Sequence, residues 1–415
     1  MNSLKFSLNK ISVYILYLFP IFIIIGNAAI NSVIITIFFI YLLKCFLKRK
    51  ILFSDTFEFK IFTYFYLYLI FNSLFSEDSK LSLIRTIPYL KFFIFVLIYK
   101  DIIERKLINL KKLGFFWLII ILVLSLDIIY QSIFGYNFFN YISVSNVRNS
   151  GLFMDELVAG GFLLSFVFVI YFLINKNINF FYLSLFVSFF IIIMFLTGER
   201  SNFLKFIMII LTVFYFLSKS RLIFKNLSLL ILITTISLLV NSFSNFKERY
   251  FSTISFATNA NLNLFDTYFT SEYGAHTISS YLILKDNLYF GVGNKNFRNE
   301  CKKYSVDVIK AQKKIDKNEK GKYSNGCSTH PHQIYNEFFS EHGLVGLIII
   351  FYIFYLLIFK NFSKKKKTNL NIICLIYMII YFIPILPSGS FFSTFTSTLF
   401  WINYLFYVVN IKTND

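Results

Sequence analysis

Three of the four histidines in this 415-residue chain fall within C-S-T-H-P-H-Q-I-Y-N-E-F-F-S-E-H-G-L-V-G, from Cys327 to Gly346, and the fourth, His276, lies on the same hydrophilic interval. Imidazole titrates near neutral pH, so a histidine held beside a hydroxyl can take up its proton. In a chain this apolar, titratable side chains gathered between membrane spans point to a site. The plainer alternative is a set of interfacial polar residues. Thr329 or His330 is placed to cap a helix whose first turn contains Pro331, where the missing N–H would be unpaired anyway. His332, Asn336 and Phe339 or Ser340 then share one face. Gly343 suits a left-handed stop, and Leu344 to Phe359 continues as an apolar span. This places His332 on a short surface helix just outside the membrane.

The cations come from several stretches. Residues 197–204 read T-G-E-R-S-N-F-L, a tight turn between two apolar runs. An arginine there is costly unless it meets a polar cavity or an anion, which makes Arg200 a phosphate-binding candidate. Its alternative role is a snorkelling residue paired with Glu199. N-V-R-N-S-G-L-F-M-D-E-L at 146–157 supplies Arg148, Asp155 and Glu156. F-K-E-R-Y at 246–250, E-Y-G-A-H at 272–276 and F-G-V-G-N-K-N-F-R at 290–298 add Arg249, His276, Lys295 and Arg298. The G-V-G turn is a weak signal for a nucleotide-cradling loop. With no Walker motif, no D-x-D pair and no metal set, the site reads as cationic and metal-free, with no cofactor.

These residues need a scaffold. Apolar residues make up 57% of the chain and charged residues 15%, which excludes an ordinary soluble domain. Repeated apolar runs match the roughly 20 residues that a helix needs to cross a bilayer, and none alternates like a barrel strand. The fold class is therefore an all-α polytopic membrane protein. Spans are expected at about 11–25, 28–43, 57–75, 86–99, 113–134, 152–174, 179–197, 201–218, 222–243, 344–359, 370–386 and 391–409, twelve in all. The first is expected to be retained, not cleaved as a signal peptide. The formal charge of +20 sits mostly in short loops, where Lys and Arg set topology, and this argues against nucleic acid as a partner. Connections 44–50 and 100–112, Lys176, the group Lys219, Arg221 and Lys225, and the lysines of 360–367 alternate onto one side, the cytoplasm.

Three regions follow: an N-terminal bundle at 1–243, a large external loop at 244–343 and C-terminal helices at 344–415. The loop is too long for a plain connection. Cys301 and Cys327 fall in it, and an oxidising compartment predicts a disulfide closing the Lys-rich segment 302–322. The alternatives are two free thiols or a metal pair with histidine, though C-x25-C spacing speaks against zinc.

T-G-E-R-S, G-V-G-N-K-N-F-R and above all H-P-H-Q-I-Y-N-E-F-F-S-E-H-G-L-V-G-L resemble the O-antigen ligase and O-antigen polymerase superfamily, over about residues 146–350. The resemblance implies metal-independent glycosyl transfer at the periplasmic face of the bacterial inner membrane. The implied donor is a glycan on undecaprenyl diphosphate; the implied acceptor is lipid A-core for a ligase or another lipid-linked repeat for a polymerase. It makes His332 the general base, Arg200 a diphosphate ligand, and His330 and the loop arginines supporting groups. Gln333 stands where many members have Asn. The second phosphate ligand is left open between Arg249, His276 and Arg298, with Arg148 and Glu156 as further substrate-binding candidates.

Two other functions compete. A transporter or flippase of lipid-linked sugars would have no need of His332, and a major-facilitator layout would show comparable halves. A transferase using a polyprenyl monophosphate sugar would want an acidic base, for which Glu77, Asp78, Asp155 or Glu156 could serve.

Overall fold

Backbone amides in lipid must be satisfied within a helix or a closed barrel, and this chain takes the first route. The computed structural model describes residues 2–143, 147–175, 178–217, 221–242, 246–247, 249–250, 263–316, 323–360, 367–384 and 386–410. Of the lysines expected to set the topology, Lys176, Lys219, the side chain of Lys225 and Lys364 to Lys366 lie outside the described residues, as does Glu248. Among the described residues every regular element is helical, and the one β-bridge joins Tyr136 to Ile142.

In order, the helices of the first half are α1 Asn2–Ile25, α2 Asn27–Lys48, α3 Phe57–Leu74, α4 Ser79–Thr86, α5 Leu90–Glu104, α6 Leu110–Phe134, α7 Ala159–Ile174, α8 Phe180–Leu196, α9 Arg200–Thr212 and α10 Leu222–Ser242. The second half contains α11 Leu264–Thr270, α12 Glu272–Asp286, α13 Phe297–Glu300, α14 Ser305–Ile315, α15 Ile334–Phe354, α16 Asn369–Tyr381 and α17 Thr394–Val408. Polar caps mark many starts. Thr56 accepts the Phe59 amide, Asn109 that of Lys112, and Ser393 that of Thr396.

A helix lies over each of the twelve apolar stretches. Among the described residues six segments are long and apolar enough to cross a membrane: Ser7–Ile25, Asn27–Lys48, Ser79–Glu104, Leu110–Phe134, Arg200–Leu217 and Ile334–Lys360. Ala159–Ile174, Phe180–Leu196 and Asn369–Tyr381 are shorter apolar helices. The segment expected at 86–99 begins earlier, at Ser79, and passes through a three-residue turn at Ile87–Tyr89 because Pro88 cannot donate to a helical ladder. The segment expected from 152 starts at Ala159, since Gly151–Phe153 forms a separate turn.

Helix α17 lies at the centre, packed against α2, α5, α7 and α16. Trp401 is fully buried there, with its Nε1 donating 2.9 Å to the Tyr89 hydroxyl and its ring edge-on to Phe93. Satisfying the indole N–H is what allows so large a polar-tipped side chain inside. Outside this bundle, α12 packs against both α14 and α15. That contact brings His276 to the start of the helix that follows the H-P-H-Q stretch.

Candidate active site

The H-P-H-Q stretch turns without becoming helical. Helix α15 begins at Ile334, and its cap is Gln333, whose Oε1 accepts the Asn336 amide at 2.8 Å. The expected cap at Thr329 or His330 and the expected helical position of His332 are both corrected by this geometry. His332 stands outside the helix with φ 51, a left-handed conformation that histidine adopts more readily than bulky residues do. Of the predicted face, Asn336, Phe339 and Ser340 remain on the helix, and the Ser340 hydroxyl donates 2.7 Å to the Asn336 carbonyl. At Gly343 the helix breaks with φ 65, where the stop was expected, and continues beyond the kink.

The turn gathers three imidazoles. The His330 and His332 ring centroids are 4.1 Å apart, and His276 stands 5.2 Å from His332. Tyr273, on the first turn of α12, presents its ring at 75° to His332 with centroids 6.2 Å apart. Burial lowers the pKa of all three histidines, bringing His330 down to about 4, and neighbouring imidazoles push His330 and His332 the same way. Glu272 opposes the shift at His332. All three are therefore neutral at pH 7, the state in which a ring nitrogen can accept a proton.

The arginines form a second group. Gly198 has φ 66, and a Cβ there would lie 2.0 Å from the Val147 carbonyl, so only glycine lets residues 147–148 cross the T-G-E-R turn. Arg200, the first residue of α9, donates from Nη1 to the Arg249 carbonyl at 3.3 Å, and Arg249 Nε donates back to the Gly198 carbonyl at 3.3 Å. Tyr250 stacks on Phe195 at 4.8 Å and anchors the Arg249 segment. Burial, and then repulsion from Arg148 and Arg200, lowers the pKa of Arg249, so three guanidinium groups share one patch. Glu199 instead braces the scaffold, through a carboxylate that accepts the Gly160 amide at the start of α7 and the Asn202 amide group, both at 2.6 Å.

Not every sequence candidate joins these groups. Arg298 sits with the histidine turn, where its Nη2 lies 3.5 Å from the Thr329 carbonyl. Its own carbonyl faces the disulfide between Cys301 and Cys327, whose Cα atoms are 5.1 Å apart. Glu156 is exposed, and no contact brings it to the arginines among the described residues. Lys295, expected as a positive charge on the outer face, is buried and paired with Glu337 at 3.0 Å. A buried lysine needs such a partner, and deleting one member of a buried pair costs about 3–5 kcal/mol. The G-V-G turn likewise serves packing. Val292 and Gly293 donate to the Ser340 and Glu341 carbonyls, and a Cβ on Gly291 or Gly343 would lie 2.5 Å from the facing backbone.

Connection 387–391 joins the two groups, which sequence reasoning missed. The Ser201 hydroxyl and Lys205 Nζ, both on α9, donate to the Pro387 carbonyl at 2.7 and 3.2 Å. The next residue, Ser388, donates its amide to the His332 carbonyl at 2.9 Å. Two residues on, Ser390 and the Phe391 amide both donate to the Glu337 carboxylate. No motif marks these residues, because most of the bonds involve backbone atoms that any sequence supplies. Glu337 did carry a signal, since with Glu341 it sets two carboxylates four residues apart on one face of the helix.

Residues 183–351 match the family model described as O-antigen ligase. No curated protein and no solved structure matches the chain.

Proposed function

Residues 183–351 carry a domain of the O-antigen ligase and polymerase superfamily, and on that premise we propose that the protein transfers a glycan from undecaprenyl diphosphate to an acceptor hydroxyl. The acceptor is lipid A-core if the enzyme ligates, or another lipid-linked repeat if it polymerises. The twelve expected spans, with both termini in the cytoplasm, would put the reaction at the periplasmic face of the bacterial inner membrane.

His332 accepts the acceptor proton as that oxygen bonds to the sugar anomeric carbon. The bond from that carbon to the diphosphate breaks, and its electron pair leaves with the phosphate. Arg200 and Arg249 bind the diphosphate, since a planar guanidinium matches phosphate oxygens and neutralises the charge that develops there. Arg148 adds to the same field, while His330, His276 and Arg298 line the acceptor side. The observation that carries this reading is the anchoring of the α9 start and the His332 turn on consecutive residues, Pro387 and Ser388. It supports one site built from both groups, in which orientation supplies much of the catalysis.

The test uses purified full-length protein in nanodiscs with chelator present, and a lipid-linked donor isolated from cells in which the gene is deleted. Transfer to acceptor lipids from the same cells is expected. His332→Ala should lower turnover by about 100-fold or more while inserting and accumulating normally. Near-normal turnover in that variant, or turnover only after a divalent metal is added, rejects the mechanism. A flippase would move the donor across the bilayer with or without His332.

A further inference from the structure

Between the arginine patch and the histidine turn stands one large aromatic side chain that neither the core nor the proposed chemistry employs. Tyr273 is 39% exposed, although it belongs to a helix packed on three other α-helices. Its ring meets His332 edge-on, and its hydroxyl end lies within electrostatic range of Arg249. Among the described residues no hydrogen bond engages that hydroxyl. The backbone beneath it is nevertheless firmly held. Ser271 caps the helix, the Tyr273 carbonyl accepts the Thr277 hydroxyl at 3.1 Å, and Thr277 accepts Asn336 Nδ2 at 2.8 Å. Tyr268 also reaches Thr277, at 2.9 Å. A rigid mount under an exposed ring holds an apolar face at a fixed place beside His332.

From this placement we propose that Tyr273 is a sugar-contacting residue, its ring forming the platform for the first sugar of the lipid-linked donor. The inference rests on the glycosyl-transfer reading above. If the diphosphate lies on Arg200 and Arg249, the first sugar is one bond away from it, and the acceptor hydroxyl must approach that sugar from the His332 side. Tyr273 spans that gap. The apolar C–H face of a sugar ring covers an aromatic face and leaves the sugar hydroxyls free for other partners, so the contact selects for a ring at this position and holds the anomeric carbon between leaving group and base.

Two measurements on the full-length protein test the assignment. The first is kcat and KM with the glycan-bearing donor isolated from cells lacking the gene; the second is the affinity for that donor and for sugar-free undecaprenyl diphosphate. Tyr273→Ala and Tyr273→Leu should each lower kcat/KM by roughly tenfold or more, and Tyr273→Phe, which keeps the ring, should recover most of the loss. Affinity for the glycan-bearing donor should fall in the alanine variant while affinity for the sugar-free carrier changes by no more than about twofold. A structural role would weaken both ligands alike, and that outcome overturns the proposal. So does an alanine variant whose kcat/KM and donor affinity match the wild type. If the wild-type protein binds donor but transfers nothing, the glycosyl-transfer reading fails, and the difference between the two affinities still decides the sugar contact.

Discussion

The backbone amide of Ser388 donates to the backbone carbonyl of His332 at 2.9 Å. Through this bond and the neighbouring Pro387 carbonyl, a connection that carries no titratable side chain sets the distance between the start of α9 and the histidine turn. Replacing Ser388 with Pro removes the donor, whereas Ser388→Ala keeps it. The proline variant should lose roughly tenfold in turnover, the scale of one well-formed hydrogen bond, and the alanine variant should stay close to the wild type. Equal activities in the two variants would show that the amide does not position His332.

Arg200→Lys should impair transfer by about tenfold or more. Lysine keeps the charge but presents a point, not a fork, and it cannot hold the Arg249 carbonyl and two phosphate oxygens from one plane. Steady-state kinetics with the purified donor would show the loss mainly in kcat/KM. Unchanged kinetics would remove Arg200 from the diphosphate site.

The pH dependence has a defined sign. A histidine base works unprotonated, so activity rises with pH through its folded-state pKa. Burial holds His332 below its ordinary value of 6.5, and the acid limb of the kcat/KM profile should therefore lie below pH 6.5. Removing the opposing carboxylate in Glu272→Gln should move the limb further down. A limb at or above 6.5 would contradict the burial seen for the ring.

The disulfide closes the loop that carries α14 and the approach to the H-P-H-Q turn, a sequence separation of 26 residues. Loop entropy gives such a bridge about 3–4 kcal/mol. Replacing both Cys301 and Cys327 with Ser should lower the Tm of the protein and loosen Arg298, whose carbonyl faces both sulfurs. Peptide mapping of unreduced protein should recover the two cysteines on one linked peptide; two free thiols would remove this constraint.

Placement of 244–343 outside the cytoplasm is open to direct labelling. Val306 is 63% exposed on α14. Val306→Cys should react with a membrane-impermeant maleimide in intact spheroplasts. Protection until lysis would invert the topology.

By itself the sequence determined the helices, their approximate ends and the place to look for chemistry. Apolar runs of spanning length leave the backbone little choice but a helix, and a glycine such as Gly343 marks a break because other residues resist positive φ. The histidines and arginines were legible as types, since such residues are scarce and expensive beside a membrane. Their arrangement was not. Whether His332 stands on a helix depended on Gln333 taking the cap, and whether Lys295 faces solvent depended on Glu337 and Ser390 arriving from elsewhere in the chain. Nor could sequence spacing separate Arg298 from Arg249, or seat Tyr273 between the two groups. These outcomes are long-range packing events, fixed by backbone bonds from connection 387–391 and by the docking of α12 on α15, and a backbone donor leaves no trace in residue identity.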